Sequence, residues 1–224
     1  MSSRAQEPRS AAAPGDGARA CGAPCAWLRR RGSPPKVRAA KLITGSSNRP
    51  GPNSASPHHE AGERVIRPGE PVVIDIGGTL GGYGSDITRT IWVDGGDPAL
   101  GPHPDFARLY EVLRGAQAAA TAAVRPGIAA EDVDAVARDA ITAAGYGPHF
   151  IHRTGHGIGL EGHENPYVVA GNTEPLAEAN AFSIEPGIYL EGRFGARIED
   201  IVVCGVDGPI VLNELTRGLL VVRG

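Results

Sequence analysis

Acidic residues inside apolar, strand-like segments constrain the fold of this chain more than any other feature. Asp75 lies in Val-Val-Ile-Asp-Ile, Glu185 in Phe-Ser-Ile-Glu-Pro, and Glu199 in Arg-Ile-Glu-Asp-Ile-Val-Val. A carboxylate in such a segment needs a compensating partner, because an unpaired buried charge is costly. Acids that merely face solvent on ordinary hairpins fit these surroundings poorly. The segments therefore predict strands that carry a charged site, with a metal ion as the favoured partner.

The first pair of acids falls on a predicted β-hairpin, in which two strand-like stretches flank a glycine-rich turn. A loop centred between Leu80 and Gly81 would place Asp75 and Asp86 directly opposite one another. A shift of the loop by one residue would make them diagonal neighbours. In either register both side chains share a face and lie within about 4.5–8 Å. Two carboxylates this close remain ionised only if a cation lies between them.

A second hairpin repeats the arrangement. Ala181–Leu190 and Ala196–Val203 read as its strands, with the turn around Gly192. Glu185 and Glu199 are equidistant from this glycine, so a loop of three or five residues pairs them across the strands. The two hairpins together supply four carboxylates to one candidate site.

Histidines add nitrogen ligands to these acids. His152 and His156 share strand parity and can face one side of a strand. His163 lies an odd number of residues further on, so it reaches the same cavity only if the intervening glycines turn the chain. Carboxylates with imidazole form a mixed oxygen and nitrogen set, which suits Mn, Co, Zn or Fe and disfavours copper or thiolate chemistry. Paired metal ions can hold a bridging hydroxide that attacks a carbonyl carbon.

The remaining pattern predicts an α+β fold, with runs of strands on either side of two helices. Apolar periodicity predicts the helices, and β-branched runs bounded by glycine predict the strands. The predicted helices are Asp105–Val124 and Ala130–Ala144, the first-hairpin strands are Pro71–Ile76 and Asp86–Val93, and the further strand pieces are Phe150–Leu160, Tyr167–Ala170 and Leu219–Val222.

The first 50 residues differ in composition from the rest. They hold ten of the 22 Lys and Arg residues but two of the 25 acidic residues, and they show no sustained periodicity. We interpret residues 1–50 as a disordered or aberrant basic tail, in preference to an organellar transit peptide. Residues 39–44 could add one short strand. Residues 51–224 then form the domain with the site, and their acidic balance argues against a nucleic-acid partner. No apolar run is long enough for a membrane span.

The segments around the acids and histidines resemble a known family. They read Val-Val-Ile-Asp-Ile-Gly-Gly, Ser-Asp-Ile-Thr-Arg-Thr, Gly-His-Gly-Ile-Gly-Leu, Ser-Ile-Glu-Pro-Gly-Ile-Tyr and Ala-Arg-Ile-Glu-Asp. In this order they resemble the pita-bread metallopeptidases, in the branch of Xaa-Pro aminopeptidases and Xaa-Pro dipeptidases (prolidases). The resemblance covers about residues 51–224 and implies the pita-bread (creatinase/aminopeptidase) fold for this catalytic domain.

The resemblance also implies a metal centre of two divalent ions, with Mn expected and Co, Zn or Fe as alternatives. Asp86 and Glu199 would bridge both ions, Asp75 would complete one and His156 the other. Glu185 would be a ligand and also the general base toward the bridging water.

The same resemblance assigns residues around the substrate. His58, in the Pro-His-His segment, and His163 are the further catalytic candidates, and His163 would bind the scissile carbonyl or move a proton. His152, Tyr189 and Arg197 are assigned to substrate binding, and Arg197 would also hold the bridging carboxylate of Glu199.

The implied function is hydrolysis of Xaa-Pro bonds in a peptide or dipeptide that has proline at its second position. Methionine aminopeptidases are the nearest alternative, but Pro-His-His, Pro-Gly-Ile-Tyr and Arg-Ile-Glu-Asp favour the proline-directed branch. Creatinases lack the full ligand set. A catalytically impaired member that acts only as a binding module is a further alternative. We expect a cytoplasmic protein with neither a nucleic-acid nor a membrane partner, and a homodimer stays open.

The chain departs from the family before residue 51. Members usually place two helices and a strand ahead of the Pro-His-His segment, and often a whole N-terminal domain before that. Here the stretch before residue 51 resembles neither of these. Without those first helices, apolar surface on the first hairpin would be exposed. We therefore expect a poor enzyme with a low melting temperature, in spite of an intact ligand set.

Overall fold

The computed structural model describes residues 36–44, as backbone only, together with residues 52–57 and 64–223. Within these ranges the fold consists of two β-sheets, a two-stranded ribbon and two α-helices. The elements in chain order are β1 (Lys36–Thr44), β2 (Glu70–Leu80), β3 (Tyr83–Val93), α1 (Pro104–Ala123), α2 (Ala130–Ala143), β4 (Gly155–Gly157), β5 (Glu164–Val168), β6 (Ala181–Ile184), β7 (Gly187–Leu190), β8 (Phe194–Arg197), β9 (Asp200–Gly205), β10 (Gly208–Val211) and β11 (Leu220–Val222).

The first sheet has the strand order β1-β2-β3-β11, in which β11 runs parallel to β3 and the other pairs are antiparallel. Strands β2 and β3 form a hairpin with the two-residue turn Gly81-Gly82, whose φ angles are 61° and 93°. Positive φ at both positions is typical of a type I′ turn and explains the two glycines. Of the two predicted registers, the structure has the one in which Asp75 and Asp86 are diagonal neighbours. Asp75 pairs with Thr88, and Asp86 pairs with Gly77.

The second sheet has the order β10-β9-β6-β4-β5, and β7 and β8 form a separate ribbon. The ribbon turns at Gly192, with Leu190 paired to Phe194, so the predicted centre and three-residue loop are confirmed. Strands β6 and β9 continue the same register, because Ile184 pairs with Asp200.

Each of the two strands predicted for this second hairpin is interrupted at its acid. The N–H of Glu185 donates to the carbonyl of Thr154 at 2.7 Å, and the N–H of Glu199 donates to the carbonyl of Thr88 at 3.0 Å. The ladder therefore opens where the two acids lie, and each acid is tied to a neighbouring element. The hydrogen bond between Glu199 and Thr88 joins the first sheet to the second. The opening in the ladder leaves space for a site between them.

The two helices lie at their predicted positions and supply much of the core. Helix α1 buries the face that begins with Phe106 and Leu109, and α2 buries Val133 and Ile141. Gly145 follows α2 with φ 86°, and the N–H of Tyr146 donates to the carbonyl of Ile141 at 3.0 Å. This pattern is a Schellman motif, in which the glycine ends the helix.

Two sequence predictions need correction in this region. The strand predicted over Phe150–Leu160 is only Gly155–Gly157, because side chains of α2 bind the carbonyls before it and the chain turns after it. The apolar pattern that predicts α2 runs through Val133, Val136, Ala137, Ala140 and Ile141. In the structure Ala140 is exposed, and the acidic Asp134 is buried instead. The partners of Asp134, described below, explain its burial.

The face of the β2–β3 hairpin opposite the site carries an apolar groove of about 260 Å³. Ile76 is 39% exposed and Leu220 is 54% exposed there. Ile76 therefore presents apolar surface on the first hairpin, and the link of this surface to missing first helices stays a prediction. The other apolar residues of the groove are Ile74, Ile87, Ile91 and Leu215.

The strand predicted near residues 39–44 is present as Lys36–Thr44 and pairs with β2. The proposed boundary at residue 51 stays a prediction, because residues 1–35 and 45–51 lie outside the described ranges. Among the helices that the structure describes, none has the length and apolar character that a transmembrane segment requires.

Candidate active site

A cavity of about 570 Å³ opens where the two sheets meet. Its wall contains all five residues predicted as metal ligands, which are four acids and one histidine. Two further histidines and two arginines also line it. The lining residues are Pro57, Asp75, Asp86, His152, Arg153, His156, His163, Val169, Glu185, Arg197 and Glu199.

Three of the predicted ligands converge closely. Asp86 on β3, His156 on β4 and Glu199 between β8 and β9 each offer one ligand atom, and these atoms all lie within 4.8 Å of one another. His156 and Glu199 are each 2% exposed. Two carboxylates and an imidazole at this spacing match the ligand preferences of a divalent transition metal.

The hydrogen bonds of Glu199 also fit a metal ion. One carboxylate oxygen, Oε2, accepts from the hydroxyl of Thr88 at 2.6 Å. The other, Oε1, is buried and has no hydrogen-bond partner among the described residues. A buried carboxylate oxygen without a donor carries a desolvation penalty that a bound cation removes.

The acids of the cavity repel one another in the absence of a cation. Burial, followed by the negative charges of Asp75 and Glu185, raises the pKa of Asp86 from 3.8 to about 7. Burial and the charges of Glu185 and Asp86 likewise raise the pKa of Glu199 well above its usual range. Both groups therefore favour the protonated state until a cation replaces the protons.

His156 and Glu185 contact one another directly. His156 Nε2 lies 3.2 Å from Glu185 Oε1, which also accepts from the hydroxyl of Ser183 at 3.0 Å. Burial alone lowers the pKa of His156, but the hydrogen bond and charge of Glu185 outweigh it, and the pKa is raised. Burial alone raises the pKa of Glu185, but the bond to His156 and the charge of Arg197 hold the pKa below its usual value.

Asp75 lies beside the converging group and pairs with Arg197. Arg197 Nη2 donates to Asp75 Oδ2 at 2.6 Å, and its Nε donates to Thr88 Oγ1 at 3.3 Å. The expected contact between Arg197 and Glu199 needs correction, because Thr88 lies between them and supplies the hydrogen bond to Glu199. Arg197 is 4% exposed and is held at the wall of the cavity.

His152 lines the cavity, whereas Tyr189 lies behind it. Tyr189 is 4% exposed and is not part of the cavity wall, so the expectation that it touches substrate needs correction. Its hydroxyl lies 3.0 Å from His152 Nε2 and 3.2 Å from Arg197 Nη1. The phenol is thus placed to orient both side chains.

His163 faces the same cavity as His156, as expected if the glycines turn the chain. The centres of the two rings lie 4.0 Å apart. Burial, then the charges of His156 and Arg153, lower the pKa of His163, which favours a neutral ring at neutral pH. His58, the remaining catalytic candidate, lies outside the described residues.

Several residues that support the site carry little signal in the sequence. Thr88 and Arg89 belong to the strand motif of Asp86, and Arg89 Nη1 donates to the carbonyl of Glu199 at 2.6 Å. Asn213 donates to the carbonyl of Asp86 at 3.0 Å and accepts from the N–H of Ile201 at 2.6 Å. An asparagine in a loop more than 120 residues from its partner has no local pattern that would identify this role.

Comparison with known proteins agrees with this geometry. The family model of metallopeptidase family M24 matches residues 29–205, which is most of the chain. The chain belongs to metallopeptidase family M24. The five sequence motifs of the site all fall inside the matched range, so the resemblance seen in the sequence is confirmed.

Among its M24 relatives, the chain is similar to the probable dipeptidase PepE of Mycobacterium tuberculosis, with 52% identity over 184 residues, 82% of this chain and 46% of the relative. It is 50% identical over 173 residues to the Xaa-Pro dipeptidase of Lactobacillus helveticus, covering 77% of this chain and 45% of that protein. The chain thus spans about half the length of these relatives.

The crystal structure of dipeptidase PepE from Mycobacterium ulcerans has 50% identity and a TM-score of 0.77, covering 84% of this chain and 48% of that one. Solved structures of a prolidase and of an X-Pro aminopeptidase share the fold as well. The α+β, pita-bread fold class expected from the sequence is therefore confirmed.

Proposed function

We propose that this chain carries the catalytic centre of a metal-dependent exopeptidase that hydrolyses Xaa-Pro bonds. The observation that carries the proposal is the convergence of Asp86, His156 and Glu199 in the shared cavity. Asp75 and Glu185 line the same cavity and complete the five-ligand set. The similarity to Xaa-Pro dipeptidases supports the choice of substrate.

The proposed cofactor is a pair of divalent metal ions, with Mn preferred and Co, Zn or Fe as alternatives. When bound, such ions polarise the carbonyl and lower the pKa of a bridging water toward about 7. Asp86 and Glu199 would hold both ions, because their ligand atoms lie within 4.8 Å of one another. Asp75 and His156 are proposed to complete one ion each.

Glu185 is proposed to serve as general base. Its lowered pKa keeps the carboxylate ionised at neutral pH, so it can accept a proton. One of its oxygens is held by the hydroxyl of Ser183, which fixes the direction from which a proton is taken. As the oxygen of the attacking water bonds to the carbonyl carbon and the C–N bond breaks, Glu185 would pass the proton taken from that water to the leaving amide nitrogen.

The histidines of the wall are proposed to bind the substrate. His163 has a lowered pKa and an exposed side chain, so its neutral ring can donate to the scissile carbonyl. His152 is oriented by Tyr189 and closes the same side of the cavity. Both residues line the same cavity as the proposed metal ligands, within reach of a peptide bound there.

The test is a comparison of peptides on the purified chain loaded with Mn²⁺. Hydrolysis of Ala-Pro should exceed hydrolysis of Met-Ala, and a chelator should abolish both. Faster release of methionine would replace the proposal with a methionine aminopeptidase. Absence of any hydrolysis, with peptide binding retained, would support a binding module.

A second arm compares Ala-Pro with the longer peptide Ala-Pro-Ala. Preference for the dipeptide would identify a dipeptidase, and preference for the longer peptide an Xaa-Pro aminopeptidase. Glu178→Gln, a change at an exposed acid outside the cavity, serves as the matched control for substitutions inside it.

A further inference from the structure

Helix α2 carries an ion pair that faces the loop leading into the site. Asp134 is 1% exposed, although it lies on the face of the helix that packs on the core. Arg138, one turn later, donates to both of its carboxylate oxygens at 2.7 and 2.8 Å. This two-pronged geometry fixes both side chains relative to the helix.

Arg138 extends from this pair to the backbone of residues 150–152. It donates to the carbonyl of Phe150 at 3.1 Å and to the carbonyl of His152 at 3.0 Å. Its guanidinium carbon also lies 4.3 Å from the centre of the Phe150 ring. The carbonyls of Phe150 and His152 are therefore bound by one arginine and not by a neighbouring strand.

Asp134 binds the next residues of the same segment. Its Oδ1 accepts from the hydroxyl of Thr154 at 2.8 Å and from the N–H of Thr154 at 3.2 Å. The carbonyl of Thr154 in turn accepts from the N–H of Glu185 at 2.7 Å. A single side chain on α2 is thus linked through Thr154 to the backbone of the proposed base.

We propose that Asp134 and Arg138 are positioning residues for the active site. Arg138 sets the position of His152 in the cavity wall, and Asp134 sets the position of Glu185 through Thr154. This inference rests on the proposed function for the roles of His152 and Glu185. The pair binds the carbonyl of His152 and the hydroxyl of Thr154 directly.

The sharpest test compares Thr154→Val with Thr154→Ser. Valine keeps the shape of threonine and removes the hydroxyl that Asp134 binds, whereas serine keeps the hydroxyl. Because a displacement of about 1 Å can cost on the order of 100-fold in rate, Thr154→Val should lower kcat on Ala-Pro about 10-fold or more and leave KM nearly unchanged. Thr154→Ser should restore kcat to near the unmodified value.

Arg138→Gln tests the other branch of the pair. It should raise KM for Ala-Pro, because the carbonyl of His152 loses the hydrogen bond that Arg138 donates to it. Arg114→Gln is the matched control, since Arg114 forms an exposed pair with Glu111 on α1, outside the cavity. If Arg138→Gln fails to fold, Thr154→Val still tests the inference, because it keeps the ion pair.

The visible absorption spectrum of each variant with Co²⁺ alone gives a readout that does not need activity. Thr154→Val should change the spectrum through Glu185, and Thr154→Ser and Arg114→Gln should leave it unchanged. If Thr154→Val lowers only the melting temperature, or if Thr154→Ser is equally impaired in kcat and spectrum, the inference is wrong.

An unmodified chain that cleaves no Xaa-Pro bond would contradict the proposed function, and the Co²⁺ spectra would still decide the positioning role.

Discussion

The Nε2 atom of His156 lies 3.2 Å from a carboxylate oxygen of Glu185. Two side chains proposed to bind metal thus satisfy one another in the metal-free chain. The neighbouring acids have no such arrangement, because Asp86 and Glu199 both have raised pKa values and Glu199 Oε1 lacks a donor among the described residues. The site therefore combines one pair of side chains that satisfy one another with two acids that repel one another.

The stability of the metal-free chain should depend on pH through Asp86. Its pKa is raised from 3.8 to about 7, so the folded chain keeps a proton in this window that the unfolded chain releases. The free energy of unfolding should then fall as the pH rises from about 4 to 7, and Asp86 alone should contribute at most on the order of 4 kcal/mol to this decrease. Denaturant unfolding in the presence of a chelator measures this decrease.

Asp86→Asn is the control for that experiment, since it removes one titrating group and should make the decrease smaller, while the raised pKa of Glu199 still contributes to it. Mn²⁺ should restore stability most strongly near and above pH 7, where binding no longer has to displace the proton. A metal-free chain whose stability increases through the same window would contradict the assignment of Asp86 to a repulsive cluster.

Substitution of Glu185 by Gln should separate catalysis from substrate binding. The change keeps the size of the side chain and one ligand oxygen but removes the base, and loss of a general base typically lowers the rate about 10²–10⁴-fold. Steady-state kinetics on Ala-Pro should show this decrease in kcat with little change in KM. Turnover equal to that of the Glu178→Gln control would mean that Glu185 is a ligand only.

Thr88→Val should weaken metal binding at neutral pH. Thr88 is fully buried, and its hydroxyl holds Glu199 Oε2 at 2.6 Å, which lowers the pKa of Glu199 against the effect of burial. Without the hydroxyl, that pKa rises further and protons compete better with the metal ion. A titration of bound Mn²⁺ against pH should show its midpoint move to higher pH, and an unchanged midpoint would show that Thr88 has no such role.

The groove on the β2–β3 hairpin should bind an apolar fluorescent dye while the chain is folded. Ile76→Ser should reduce the dye fluorescence, because Ile76 lies in the groove and is 39% exposed. Val65→Ser is the control, since Val65 is 75% exposed but lies outside the groove. Equal fluorescence in Ile76→Ser and the unmodified chain would mean that the groove does not bind the dye.

The sequence was sufficient for the parts of the fold that local pattern controls. Apolar periodicity located both helices, and the glycines at 81–82 and 192 located both hairpin turns. Parity along the strands placed Asp75 and Asp86 on one face, although the register itself depended on whether the turn used residues 80–81 or 81–82.

The rest depended on contacts between distant segments. Asp134 breaks the apolar pattern of α2, and its burial makes sense only beside Thr154, 20 residues later. Thr88 separates Arg197 from Glu199 across more than 100 residues, so motif order alone assigned Arg197 to the wrong neighbour. Tyr189 carries a motif typical of a pocket residue, but packing places it behind His152.

The number of metal ions bound by Asp86→Ala tests the central claim most directly. Elemental analysis after dialysis against Mn²⁺ should find about two ions per unmodified chain, as a paired-metal site requires. Asp207→Ala, a change at an exposed acid outside the cavity, should bind the same amount. In Asp86→Ala the content should fall to near zero, because a bridging ligand to both ions is lost and the remaining acids repel one another. Full metal content in that variant would contradict the two-metal site.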